Sequence, residues 1–165
     1  MEQNIWVLFV AALIPMVVGF IWYHGKVFGT AWMHLVGKTE AELAKGNMVK
    51  ILGLSYILSL ILAFALSGLV IHQSGMNQLF AMDMMEGGNA ENAAYFKDFI
   101  SRYGDMHRSF GHGALHGALG AIFFALPYIG ISAMFEHRPW KLIWIQVGYW
   151  VLTCTLMGGV LCAFM

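Results

Sequence analysis

Residues 107–135, HRSFGHGALHGALGAIFFALPYIGISAMF, decide how the rest of the chain is read. A polar opening with three histidines gives way to an apolar run that contains no Asp, Glu, Lys or Arg after Arg108. As a helix rising ~1.5 Å per residue, residues 111–135 would extend roughly 37 Å, enough to cross the hydrocarbon core of a bilayer. The tetrapeptide His-Gly-Ala-Leu occurs twice in succession, so His112 and His116 stand four apart on one helix face. Gly113 and Gly117 form a GxxxG pair beside them, and with Ala121 they make a strip of small residues along which another backbone can approach. Two readings stay open. The glycines can be packing contacts with the histidines as interfacial hydrogen-bonding residues, or the imidazoles can belong to a ligand or metal site completed from elsewhere.

The composition places this run in an integral membrane protein. The 165 residues are 59% hydrophobic and only 11% charged, far below the roughly 25% charged of soluble domains. Four apolar runs, 5–23, 49–71, 111–135 and 142–165, each reach spanning length. The expected fold is all-α: four transmembrane helices arranged as two antiparallel hairpins in a single domain over 1–165, with short amphipathic interfacial helices in the first and second connections. The start, MEQNIW, has an acid where a signal peptide needs a basic region, so the first run is expected to stay as a helix. Cys154 and Cys162 both fall in the last run, about 12 Å apart along a helix, too far for an intrachain disulfide.

Basic residues set the orientation. Lys26, Lys38, Lys45 and Lys50 flank the first connection, and Arg138 and Lys141 lie in the third. The opposite side holds Lys97, Arg102 and Arg108 against Asp83, Glu86, Glu91, Asp98 and Asp105. Both termini and the long second connection are therefore expected outside.

In run one, Pro15 removes a ladder bond and predicts a kink, while Trp6, Trp22 and Tyr23 read as interface anchors. Val27, Phe28, Ala31, Trp32 and Leu35 recur at helical spacing, as in a helix lying in the interface. Thr39 to Glu42 matches a capping box, and Gly46-Asn47 reads as a helix stop. His24 and His34 read as interfacial side chains. In the second connection, Tyr95, Phe96, Phe99, Ile100 and Tyr103 predict a surface helix capped by Asn89 and ending at Gly104. Met76, Met82, Met84 and Met85 lie upstream of it; thioethers are usually adaptable apolar contacts and less often copper ligands. Residues 136–141 make a tight turn into run four, whose one strongly polar group, Gln146, is expected to hydrogen-bond to a neighbouring helix.

Two stretches carry a family likeness. Gly19-Phe-Ile-Trp22-Tyr23 with Phe28-Gly29-Thr30-Ala31-Trp32-Met33 and Gly37-Lys38-Thr39, and then Phe135-Glu136-His137-Arg138-Pro139-Trp140 with Gly148-Tyr149 and Met157-Gly158-Gly159, resemble the opening and closing motifs of the bacterial membrane family called domain of unknown function 1761. The likeness covers roughly two thirds of the chain and leaves out the segment between His72 and His107. It implies a small, four-helix, multipass protein of the bacterial cytoplasmic membrane with no assigned activity.

No nucleophile–base pair, phosphate-binding glycine loop, HExxH or CxxC is present, so the chain reads as a non-enzyme. Nor is a nucleic-acid partner expected. A proton- or ion-coupled transporter needs ionisable groups at membrane depth, and only His116 could serve, which keeps small-solute transport through the outer-face histidines, in an oligomer, as an alternative. A bis-histidine haem site would need facing histidines, and runs one and four have none. Two readings lead, in this order. The first is a non-enzymatic packing or interaction module that associates through its glycine faces with itself or another membrane protein. The other is an outer-face metal site built from His72, His107, His112 and His116, taking zinc with Asp105 as a further donor, or copper(I) with Met82, Met84 or Met85.

Overall fold

The structure is a computed structural model that describes residues 4–165; Glu2, on which the reading of the chain's start rests, lies outside them. Among the described residues every regular element is helical. Three helical stretches are long and apolar enough to cross a membrane: Met48–Val70, Phe110–Phe135 and Trp140–Phe164. A fourth exists if the pair Trp6–Trp22 and Gly25–Val36, bent by 54°, counts as one span.

Run one is broken, where the sequence predicts a kink. It forms α1 (Trp6–Ala11) and α2 (Ile14–Trp22), with Pro15 in the first turn of α2. Leu13 N–H turns back to the carbonyl of Val10, so the carbonyl of Phe9 loses its partner in the ladder. The Tyr56 hydroxyl donates to it at 3.2 Å, and the Tyr149 hydroxyl donates to the carbonyl of Pro15 at 2.9 Å. Tyr56 thus satisfies backbone freed at the break, the condition on which a broken helix is tolerated in an apolar setting, and Tyr149 adds a bond to a carbonyl within α2.

The first connection folds back against the bundle. A π-helical turn (Gly25–Gly29) leads into α3 (Thr30–Val36). At Gly29 a Cβ would collide with the backbone carbonyl of Tyr23, so only glycine fits there. Trp22 packs on Phe28 and donates its indole N–H to the carbonyl of Ile145, while Tyr23 meets both Trp32 and Tyr149. The Thr39–Glu42 capping box opens α4 (Glu40–Leu43), and its backbone and side-chain hydrogen bonds hold the Glu42 carboxyl below the usual carboxylate range. α4 ends at Leu43, before Gly46, and Asn47 does not stop a helix but starts one: its side chain accepts from Lys50 N–H as the N-cap of α5 (Met48–Val70).

The second connection begins with a helix the sequence pattern does not announce, α6 (Gln73–Leu79), and continues into α7 (Ala90–Tyr103), capped by Asn89 and followed by Gly104. Run three comprises α8 (Phe110–Gly120), a π-helical turn (Ala121–Ala125) and α9 (Leu126–Phe135). Pro127, in the first turn of α9, has no N–H for the carbonyl four residues upstream, and the widened turn lies where that mismatch arises. Run four is a single helix, α10 (Trp140–Phe164).

α10 is the centre of the bundle: it packs against α1, α2, α3, α5, α8 and α9, most extensively against α8. Met157, Leu161 and Cys162 lie in the core with Ala11, Ala63, Val70 and Ala121. Along α8 and into the π-helical turn after it, the strip Gly113, Gly117 and Ala121 is buried. A Cβ on Gly113 would run into the backbone of Gly158, and one on Gly117 into the backbone of Cys154. The strip therefore meets α10 of the same chain, and the two backbones touch. By contrast Phe20, Phe64, Phe123 and Phe124 stand 68–78% exposed on the outer surface.

Candidate metal centre

Three histidines converge at one end of the bundle. His112 and His116 occupy successive turns of α8, whose first turn is capped by the Ser109 hydroxyl accepting from His112 N–H. His72 arrives from the other side, at the corner where α5 ends in extended backbone at Ile71 and α6 begins. One ring nitrogen from each of the three can be chosen so that all lie within 4.8 Å of one another. The His72 and His112 Nε2 atoms are 2.8 Å apart, a hydrogen bond in which one ring donates and the other accepts. Ring centroids stand 4.9 Å apart for His72–His112, 4.9 Å for His72–His116 and 4.5 Å for His112–His116.

The fourth expected residue plays a different part. His107 stacks its ring on His112 at 4.8 Å and 19° and does not join the group of converging nitrogens. Its backbone is left-handed, with φ +62°, uncommon for a residue with a side chain. Its carbonyl accepts from Ser109 N–H and from the Cys162 thiol at 3.3 Å, which ties this corner to the end of α10. Asn4 N–H donates to the carbonyl of Met165 nearby in sequence to that anchor, so the two ends of the described chain meet.

Desolvation, reinforced by His116 and His107, holds the His72 pKa below its ordinary value. The ring is then neutral, the form that ligates a metal, over a wider pH range than a free imidazole. Two imidazole nitrogens on a tetrahedral zinc ion sit about 3.3 Å apart, given Zn–N bonds of ~2.0–2.1 Å. The observed separations, from 2.8 Å to 4.8 Å, bracket that value, so small ring movements would bring all three onto one ion. His72 is exposed, which leaves a side of the site open.

Asp105 does not belong to the converging group, and Met82, Met84 and Met85 stand exposed on the turn beyond α6. Two other residues shape the site. Gln73 is buried, and its amide N–H groups donate to the carbonyls of Tyr103 and Met106, both at 2.9 Å, pinning the end of α7 over the His72 corner. Met106 and Met76 line a cavity of about 220 Å³ shared with His72 and His107. A polar residue following His72 was the one signal in the sequence for Gln73, and Met106 carried none. At the far end, Gln146 lines a second cavity of about 230 Å³ with Ser132 and Arg138, and among the described residues it makes no side-chain hydrogen bond, so the expected interhelical bond is not formed.

The family model described as protein of unknown function (DUF1761) matches residues 6–162. The chain belongs to this family. The match runs through the segment between His72 and His107, so the DUF1761 relationship extends over nearly the whole chain and not over two thirds of it. No curated protein and no solved structure matches the chain. Membership of DUF1761 assigns no activity, and the geometry has to carry the functional reading.

Proposed function

We propose that this chain is a four-span bacterial inner-membrane protein that binds a divalent transition-metal ion, Zn²⁺ or Cu²⁺, at the outer end of its bundle through His72, His112 and His116. The observation that carries the reading is the convergence of three imidazole nitrogens from two separate helical elements within 4.8 Å. Two of those residues could meet merely through their helical spacing, but His72 comes from a chain segment 40 positions away. Three neutral nitrogen donors suit zinc or copper(II), and a missing fourth protein ligand leaves a coordination position for water or an exchanging ligand. The interaction-module reading is less well supported, because its small-residue strip is occupied by α10. Chelator-washed protein in detergent, titrated with zinc against a competing dye, should take up one equivalent per chain. Uptake no greater than that of a histidine-free detergent control would end the metal reading.

In this reading the four apolar runs cross the membrane as two antiparallel hairpins, with both chain ends and the histidines outside. The outward-facing phenylalanines support burial in lipid, since apolar surface of that kind is costly in water, and the basic residues of the first and third connections support the orientation. Asn77→Cys in intact cells should react with an impermeant thiol reagent and Lys38→Cys should not; the native Cys154 and Cys162 are buried and give a low background. The reverse labelling pattern would invert the topology.

A further inference from the structure

The cavity beside the three histidines has donors of a different kind. Its wall includes the thioethers Met76 and Met106, the imidazoles of His72 and His107, and the aromatic side chains Phe99 and Tyr103. Its lining contains no carboxylate and no Lys or Arg. The amide N–H groups of Gln73 are already spent on two backbone carbonyls. Gln73 also lines the wall, and its buried Oε1 has no hydrogen-bond partner among the described residues. One amide oxygen is far short of the roughly six or more oxygen ligands that a hard cation such as Mg²⁺ or Ca²⁺ takes, and an anion would find no Lys or Arg. Beside that single amide oxygen, the donors the cavity offers are soft sulfur and imidazole nitrogen.

We propose that this cavity binds copper(I), with the thioethers of Met76 and Met106 and the ring of His107 as its donors. The proposal deepens the metal reading of the neighbouring histidines and rests on it for the class of ion. Thioether ligands select copper(I) over the harder divalent ions, whereas the nitrogen set of His72, His112 and His116 suits Zn²⁺ or Cu²⁺. The two donor sets lie side by side: His72 belongs to the converging nitrogens and to the cavity wall, and His107 stacks on His112. The left-handed backbone at His107, fastened by the Cys162 thiol, holds that ring between them. Methionine is concentrated in this connection: Met82, Met84 and Met85 follow on the same segment and are 44–76% exposed. Solvent-facing thioethers of that density give soft donors on the same outer connection as the cavity. Copper(I) binds here as such, supplied already reduced, and no electron transfer within the protein is invoked.

The test uses anaerobic, detergent-purified full-length protein loaded with copper(I). X-ray absorption of the wild type should show sulfur scatterers in the copper shell together with nitrogen. Met76→Leu/Met106→Leu, which conserves volume and so preserves packing, should lose that sulfur signal and weaken copper(I) binding at least tenfold against a chromophoric copper(I) chelator. Its zinc affinity should stay within about twofold of wild type. A copper shell of nitrogen and oxygen alone in the wild type would overturn the inference whether or not the variant folds. A sulfur signal that survives loss of both thioethers would overturn it too, since the ligands would then be other methionines, such as Met82, Met84 or Met85, or the cysteines. Failure of the divalent site reads differently: zinc uptake would be absent while sulfur-ligated copper(I) remained.

Discussion

Gly117→Leu should abolish the folded bundle, and Gly117→Ala alone should lower its stability by about 1–3 kcal/mol, the usual cost of forcing volume into a packed core. The reason is the nature of what stands opposite. At Gly117 a Cβ would overlap the carbonyl of Cys154 and come within 2.8 Å of its carbonyl carbon, and backbone in the middle of α10 has no rotamer through which to retreat. Gly158 reciprocates, since a Cβ there would approach the Gly117 Cα at 3.1 Å. Separating the helices to admit a leucine would also pull α10 from α5 and α1, because the same helix packs against all three. Gly53 on α5 supplies the control: nothing lies within 4 Å of its would-be Cβ, so Gly53→Leu should leave the bundle intact. Thermal melting and size-exclusion in detergent distinguish the two variants. If Gly117→Leu and Gly53→Leu melt alike, the contact between α8 and α10 does not govern stability.

The same glycines show what was legible in the sequence. Apolar run length located the spanning candidates because length and hydropathy are local properties, and the i, i+4 spacing placed His112 and His116 on one face for the same reason. Asn89 and Thr39 announced their caps because a cap is a bond between near neighbours. Features that depend on distant partners were hidden. Pro15 signals a lost hydrogen bond, but whether the helix bends or breaks turns on distant partners such as Tyr56, which bonds the freed carbonyl of Phe9. Pro127 likewise marks a defect whose form, a widened turn one step upstream, is a matter of packing. QSGMNQL has no apolar stripe and contains Gly75, so α6 leaves no periodic signal; Gln73, held by two carbonyls from α7, ties its start down. Of the candidate site, the sequence supplied the four histidines, whereas the division into three converging nitrogens and one stacked ring follows from the left-handed turn at His107.

His112→Ala and His116→Ala should each lower zinc affinity by at least about a hundredfold, because either leaves two protein ligands where three are the minimum of known open zinc sites. His107→Ala should have a much smaller effect, since its ring lies outside the converging group. Zinc should also raise the melting temperature of the wild type by binding only the folded state, and the rise should depend on pH in a definite direction. Each ligating imidazole must be neutral, so protons compete with the metal as pH falls. At His72 the folded pKa lies below the ordinary value of 6.5, so the unfolded chain takes up this proton more readily than the folded one. The folded state without metal therefore has its full share of stability from this group above the ordinary imidazole range, and loses it as pH falls from 6.5 through the lower folded value. With zinc bound the loss is steeper, because the ion itself is displaced. Melting curves recorded with and without zinc should separate widely near pH ~8 and converge by roughly pH 5, where free imidazoles are charged. A zinc-induced shift of the same size across that range, or one retained in full by His112→Ala, would place the ion elsewhere and leave the three rings to packing and the His72–His112 hydrogen bond.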